Sequence, residues 1–235
     1  DLPGPAPPDN PGEEAMAREI VVLSGVRTAI GGYGGSLKDV PPGELGAICV
    51  REAVRRAGVK PADVGHVVFG NVIHTEAHDH YLARVAGVKG GLPHETPALT
   101  VNRLCGSGLQ AIVSAANMIA AGDADVAVAG GAENMSRSPY LAPAQRWGAR
   151  MGDAKMVDMM VGALSDPFDD VHMGITAENV ARRHAVSRED QDALAAESHR
   201  RAQLAVDHGY FRAQIVPVPV PVKRDKVPFE LDESV

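Results

Sequence analysis

Apolar positions along the chain follow two periods. Ile20-Val21-Val22-Leu23 is a short continuous apolar run closed by Ser24-Gly25, the pattern of a strand buried on both faces. After a glycine-rich loop at 31–35, Leu45, Ile48, Cys49, Ala53 and Ala57 recur at helical spacing and Gly58 supplies a stop, so an amphipathic helix is expected. Val67-Val68-Phe69-Gly70 reads as a second strand. Residues 98–104 read as a third, less purely apolar at Asn102 and Arg103. Leu109, Ile112, Val113, Ala116 and Ile119 outline the next helix, ended by Gly122, and 126–129 a strand closed by Gly130-Gly131. Strands alternating with helices imply an α/β fold around a mostly parallel sheet.

The character changes past Met135. Residues 136–171 hold no sustained period, several Gly and Pro, and the single tryptophan, Trp147, which suggests an inserted functional excursion resembling a lid. Helices are expected at 176–184 and 187–208, the second opened by Ser187-x-x-Asp190 as a capping box and ended by Gly209. The tail, 215–235, alternates Val with Pro217, Pro219 and Pro221; that suits an extended edge segment and excludes a central strand, and no closing element is expected after Val222. The organisation expected is a leader at 1–17, an α/β domain at 18–135 and an inserted loop domain at 136–235.

Composition narrows the class. The chain has 235 residues, 45% hydrophobic, with 23 basic and 30 acidic side chains and a net charge of −7. One large domain or two small ones fit that length. No Lys/Arg cluster is available to neutralise phosphates, which argues against a nucleic-acid partner. The longest nearly apolar stretch, 109–121, is interrupted by Gln110, Ser114 and Asn117 and is shorter than the ~20 residues of a spanning helix, so a buried helix is expected and no membrane partner. Residues 1–12 carry five prolines and no apolar core of a signal peptide, as in a flexible leader or cloning remnant. Cys49 and Cys105 form no C-x-x-C and no zinc-finger spacing with histidine, so no structural metal is implied and the cytoplasm is the expected compartment.

The candidate chemistry centres on Val101-Asn102-Arg103-Leu104-Cys105-Gly106-Ser107-Gly108-Leu109-Gln110. Here a cysteine stands at a strand-to-helix turn, where unpaired N–H groups and the helix dipole favour a thiolate. Gly106 and Gly108 clear side chains from beside it, and the N–H groups of the turn suit a developing oxyanion; this is an acyl-transfer geometry. Two other readings stand beside it. Cys105 is equally a small core residue by type, as Cys49 in the middle of a helix face is expected to be. Gly106-Ser107-Gly108-Leu109-Gln110-Ala111 also fits G-x-G-x-x-A of a dinucleotide site with Glu133 as ribose ligand, although Glu133 lies 27 positions beyond Gly106 rather than about 20. His74, His78 and His80, beside Glu76 and Asp79, suit either a zinc site or a solvated loop. His172, before Met173-Gly174, suits a substrate channel or a satisfied, partly buried side chain.

Asn102-Arg103-Leu104-Cys105-Gly106-Ser107-Gly108 resembles the nucleophile signature of the thiolases. Gly25-Val26-Arg27-Thr28-Ala29-Ile30, Gly130-Gly131-Ala132-Glu133-Asn134-Met135-Ser136, Met151-Gly152-Asp153 and His172-Met173-Gly174-Ile175-Thr176-Ala177-Glu178-Asn179 match the same family in order, from about residue 18 to about 218. Within it the sequence looks most like the short-chain biosynthetic β-ketothiolases, acetyl-CoA acetyltransferases that join two acyl-CoA units and cleave 3-ketoacyl-CoA in reverse.

The resemblance implies a βαβαβαββ first half, a mixed, mostly parallel sheet with helices on both faces and an inserted loop domain, in a protein built of two such halves and assembled as a dimer of dimers. It implies acyl-CoA thioesters as substrates and no permanently bound cofactor. Cys105 matches the acyl-accepting nucleophile and its N–H an oxyanion donor; His172 and Met173 match positions beside pantetheine and acyl group; Lys223 and Arg224 fall where the family contacts the adenine end of coenzyme A. Three family elements of the second half are absent from these residues: a Gly-His-Pro histidine, an Asn-Glu-His segment and a cysteine in a Cys-x-Gly turn. The chain therefore looks like about the first three fifths of such an enzyme, expected to be inactive alone. The alternatives are a scaffold, a ketoacyl synthase-like condensing enzyme and the dinucleotide-binding domain.

Overall fold

The computed structural model describes residues 18–233; the leader expected at 1–17 lies outside the described residues. The elements in chain order are α1 (Pro42–Ala57), β1 (His66–Gly70), α2 (Leu82–Lys89), β2 (Ala98–Val101), α3 (Ser107–Ala121) and β3 (Ala127–Gly131), followed by β4 (Tyr140–Leu141), β5 (Val157–Asp158), α4 (Met159–Ala163), α5 (Met173–Arg183), α6 (Arg188–Asp207), β6 (Val218–Val222) and β7 (Asp225–Phe229). Pro42 opens α1 where its missing N–H costs nothing, and Gly58 ends it at φ 69°, a left-handed conformation that suits glycine. Gly122 closes α3 in the same way at φ 83°.

Period two in β1 sets the layers. Val67 and Phe69 face α1 and α2, where they pack with Val50, Val54, Leu82, Ala83 and Ala86. Val68 faces the opposite side and meets Ala111 and Ala115 of α3. Helices thus cover both faces of a three-stranded sheet in the order β2-β1-β3. Both pairings are parallel, with Val68 opposite Leu99 and Ala129. The three central strands described are all parallel, as the α/β reading expects of most of the sheet. Each fully buried Val or Leu here is worth about 1.5–3 kcal/mol over its exposed state.

α3 sits unusually close to the sheet. A Cβ on Gly70 would stand 2.7 Å from Ser107 Cβ and 2.9 Å from Gly108 N, and one on Gly131 would stand 3.6 Å from Gly108 Cα. Glycine at the ends of β1 and β3 therefore lets the first turn of α3 rest directly on backbone.

Several expectations are corrected. The run Ile20 to Leu23 forms no strand: no strand pairs with it among the described residues, and Val22 is 86% exposed. The expected buried helix buries only Ser107, Ala111 and Ala115. Leu109 is 69% exposed and Ile112 50%, so its outer apolar face meets no partner among the described residues. By length and composition alone Leu104–Ala121 is apolar enough to cross a membrane, but its Ala111/Ala115 stripe is committed to the sheet. β2 ends at Val101; beyond it Asn102 Oδ1 accepts from the Leu104 N–H and the Arg103 side chain reaches Gln110 of α3. α2 was not expected; Leu82, Ala83 and Ala86 supply its buried face.

The tail is not a lone edge segment but an antiparallel hairpin, with β6 paired to β7. Prolines 219 and 221 point outward, while Val218 and Val220 pack on Leu37 and Leu45. Ser187 caps α6 as expected, accepting from the Asp190 N–H at 3.1 Å, but α5 and α6 bury no residue fully.

Arg27 holds the end of this region to its start. Its guanidinium pairs in two-pronged fashion with Asp232 (2.7 and 2.9 Å), donates to Gln214 Oε1 (3.0 Å) and lies over the Phe211 ring (5.1 Å). Glu233 accepts from the N–H groups of Gly32 (2.6 Å) and Ser36 (3.0 Å) and from the Ser36 hydroxyl. Arg27 and then the Ile30 N–H hold the Asp232 carboxyl below its ordinary value of 3.8; the Ser36 hydroxyl, then backbone N–H groups, lower that of Glu233 from 4.5.

Because both folded-state values are depressed, the clasp is complete above pH ~4.5 and is lost as pH falls through those lower values. Amide protection factors at 27–36 and 211–216 are expected to fall below pH ~4, and Asp232→Asn to lower them at neutral pH. Gly70→Ala is expected to destabilise by about 1–3 kcal/mol through overpacking. Gly108, where a Cβ meets nothing within 4 Å, should accept Ala with no loss. Urea denaturation midpoints of the two variants make the comparison.

Candidate active site

Cys105 lies on the turn between β2 and α3, at the C-terminal end of the parallel sheet. In open parallel sheets the ligand crevice forms at that edge. Asn102 Oδ1 accepts from the Leu104 N–H at 3.0 Å, and Arg103 reaches forward to Gln110 Oε1. Leu104 is held at φ 47°, a left-handed conformation that costs a residue with a Cβ about 1–3 kcal/mol. The turn forces Cys105 outward, and its thiol is free and exposed, not a core side chain.

Gly106 is the N-cap of α3, and no side chain caps the helix. Helix geometry leaves the N–H groups of a first turn without partners within the helix. Those of Gly106 and Ser107 are taken up by the carbonyls of Arg103 (3.0 Å) and Leu104 (2.9 Å), so Gly106 serves the turn rather than presenting a donor. The N–H groups of Gly108 and Leu109 have no acceptor among the described residues. Gly108 faces open space as well, so a donor, an approach path and a thiol share one turn.

A second layer braces the sheet end behind the turn. Asn71 is buried; its N–H donates to Val101 O (3.1 Å) and its amide to Ala132 O (3.0 Å) and Glu133 Oε1 (3.0 Å). Glu133 also accepts from the N–H groups of Val72 (3.0 Å) and Ile73 (2.9 Å). Asn71 therefore joins the ends of β1, β2 and β3. Burial holds the Glu133 carboxyl above its usual range, only partly offset by those N–H groups. A carboxylate so occupied is not free to bind a ribose, which removes the support for a dinucleotide site. Asn134 donates to the carbonyls of Leu37 (2.9 Å), Lys38 (3.2 Å) and Val40 (2.8 Å), and the Ser136 hydroxyl accepts from Gly34 N–H (2.9 Å). The glycine-rich loop is pinned from this side too.

The other candidates lie apart from the turn. His172 is the N-cap of α5, its Nδ1 accepting from the Gly174 N–H at 3.0 Å, so the neutral ring carries its proton on Nε2. Met173, 40% exposed, opens that helix. Lys223 and Arg224 form the exposed β6–β7 turn, with Lys223 at φ 58°. No hydrogen bond or ion pair among the described residues joins Cys105, His172, Lys223 or Arg224.

Cys49 is half-buried, and burial pushes its thiol up, as suits an inert structural cysteine. The His74 and His80 rings meet edge to face at 4.5 Å, His78 stands 3.3 Å from Glu76, and Glu76 pairs with Arg137 at 2.9 Å. Buried Asp79 accepts from Thr75 N (2.6 Å). No three His, Cys, Asp or Glu side chains converge on a metal position among the described residues. Sequence reasoning missed the roles of Gly70 and Asn71; the signal available was a Gly-Asn pair at the end of the apolar run Val67 to Phe69.

The family model for the thiolase N-terminal domain matches residues 20–235. The beta-ketothiolase BktB of Cupriavidus necator is 66% identical over 220 residues, 94% of this chain and 56% of that protein. An acetyl-CoA acetyltransferase of the same organism is 49% identical over 219 residues, 92% of this chain and again 56% of the relative. Among solved structures, the Bacillus anthracis acetyl-CoA acetyltransferase superimposes with a TM-score of 0.87 at 41% identity, covering 91% of this chain and 54% of the other. Human mitochondrial 3-ketoacyl-CoA thiolase in complex with CoA gives 0.84 at 39% identity over 90% and 53%. The chain thus spans little more than half the length of the relatives it matches. With an exposed cysteine on a strand-to-helix turn of a parallel sheet and a family match over nearly all of its length, the chain belongs to the thiolase family and corresponds to its N-terminal domain.

Proposed function

We propose that Cys105 is the nucleophile in acyl transfer between coenzyme A thioesters, in a protein that condenses two acetyl-CoA, or acetyl-CoA and a short acyl-CoA, to 3-ketoacyl-CoA and runs the thiolysis in reverse. The observation that carries this reading is the free, exposed Cys105 on a strained turn before α3, beside the unpaired Gly108 N–H and the open space at its Cα. The names of the relatives support the substrate class.

Cys105 Sγ attacks the thioester carbonyl, and negative charge moves to the carbonyl oxygen. Backbone N–H groups of Cys105 and Gly108 are the donors to that oxyanion, a contribution of about 2.7–4 kcal/mol per donor in comparable sites. The bond from carbonyl carbon to CoA sulfur then breaks, CoA leaves as a thiol with the proton given up by Cys105, and an acyl-cysteine remains. In condensation a second acyl-CoA loses an α-proton to a base; its carbon attacks the acyl-cysteine, the new carbon–carbon bond forms and Cys105 is released. No histidine or second cysteine adjoins Cys105 among the described residues, so this step is assigned to residues of a second half, as the family resemblance implies. The unpartnered apolar face of α3 (Leu109, Ile112, Val113) is where that half would seat.

On the same resemblance we assign His172 and Met173 to the pantetheine and acyl end, Lys223 and Arg224 to the adenine end, and a cytoplasmic dimer of dimers to the whole enzyme. Residues 18–135 form the nucleophile domain and 136–235 the loop domain in this reading.

Incubation of the longer protein that carries this chain with acetyl-CoA is expected to add one acetyl group at Cys105, located by intact mass and peptide mapping. In the longer protein that carries this chain, Cys105→Ser should lower acetoacetyl-CoA thiolysis at least ~1,000-fold while Cys49→Ser leaves it within a few-fold. Acetylation elsewhere, or thiolysis surviving in Cys105→Ser, would overturn the reading. A marked preference for carrier-protein thioesters would move it to the ketoacyl synthases.

A further inference from the structure

We propose that Ser107 is a positioning residue for Cys105: its buried hydroxyl latches the left-handed turn that presents the thiol. This deepens the assignment of Cys105 as nucleophile and rests on it. Residues 102 to 106 are all exposed. The turn depends on hydrogen bonds for its shape, and Ser107, 5% exposed, is its one buried anchor.

The hydroxyl makes two bonds at once. Its Oγ donates to Leu104 O at 2.6 Å and accepts from the Arg103 N–H at 2.8 Å. Leu104 O also accepts from the Ser107 N–H (2.9 Å), and Gly106 N–H donates to Arg103 O (3.0 Å). Leu104, the residue at φ 47°, is thus fixed at its carbonyl by Ser107 and at its N–H by Asn102 Oδ1. A serine at a helix start ordinarily accepts from N–H groups further along the helix. Ser107 instead reaches backward, across the residue that carries the thiol, so its bonding serves the turn rather than the helix.

The seat of Ser107 is equally fixed. Its Cβ lies against Gly70, where any side chain would intrude to 2.7 Å. The hydroxyl therefore has a rigid floor and two fixed partners. Without it the Arg103 N–H loses its acceptor and the Leu104 carbonyl keeps only the Ser107 N–H, which loosens the left-handed turn and lets Cys105 shift from its place before α3. A displacement of about 1 Å in a reacting group costs ~100-fold in rate.

The test compares the longer protein that carries this chain with its Ser107→Ala variant by three readouts: acetyl transfer from acetyl-CoA to Cys105, the pH profile of iodoacetamide alkylation at Cys105, and residue-resolved amide exchange. Acetyl transfer is expected to fall ~10- to 100-fold with the alkylation profile displaced along the pH axis, and the Arg103 amide to exchange faster while those of Val67 to Phe69 do not. Unchanged acylation and alkylation in Ser107→Ala would overturn the proposal, as would acceleration spread equally into β1. In the unsubstituted chain the Arg103 amide should exchange slowly despite its exposed position; exchange at the rate of an unstructured peptide also overturns it, with no variant needed. If acetyl-CoA leaves Cys105 unmodified in the longer protein with Ser107 unsubstituted, the acyl-transfer reading fails, and the alkylation profile and amide exchange still decide the role of Ser107.

Discussion

The contact between the first turn of α3 and the glycines that end β1 and β3 is the constraint on which the candidate site depends. Backbone rests on backbone there, because Gly70 and Gly131 lack the atoms that would hold the helix away. Packing at that distance leaves no slack, so the height of Ser107 above the sheet is set by the strands. The turn 102–106 must then climb from the end of β2 to that height in a few residues, and the left-handed conformation of Leu104 is the local consequence. Strain at such a position persists only where surrounding bonds over-determine it. Asn102, Ser107 and the two turn carbonyls do so here.

The same economy governs the layer behind the site. Asn71 and Glu133 tie together three strand ends, adding hydrogen bonds to backbone where Gly70 and Gly131 carry no side chain to pack. A buried carboxylate is costly unless its lone pairs are occupied. The N–H groups of Val72 and Ile73 occupy those of Glu133, and the residual cost appears as a raised affinity for a proton. The residues after Ser136 depend on the α/β layer more than on one another. α5 and α6 bury no residue fully, whereas the chain beyond them is bound to it by Arg27, by Glu233 on the glycine-rich loop and by Val218 and Val220 against Leu45. In the acyl-transfer reading the residues assigned to coenzyme A lie after Ser136, while the nucleophile sits on the sheet.

The amino-acid sequence alone determined the elements whose signals are local. Gly58 and Gly122 end α1 and α3 because only their freedom from a Cβ makes the left-handed cap inexpensive, and that is visible one residue at a time. β1 and β3 declare themselves by apolar runs, α6 by the Ser187 cap, and Cys105 by its place between a strand and a helix. What only the tertiary structure decided are the features that need two distant segments at once. The apolar run Ile20 to Leu23 reads as a buried strand, yet burial requires a partner, and none is present among the described residues. The outer face of α3 has the composition of a core helix for the same reason and is exposed. The Val-Pro tail reads as a lone edge because its hairpin partner, Asp225–Phe229, has no alternation of its own. Gly70, Asn71, Glu133 and Ser107 gain their roles from contacts between strand ends and a helix start. A sequence records which residues are there, but the ångström-scale approach that makes a glycine a seat or a serine a latch exists only once the sheet and the helix have met.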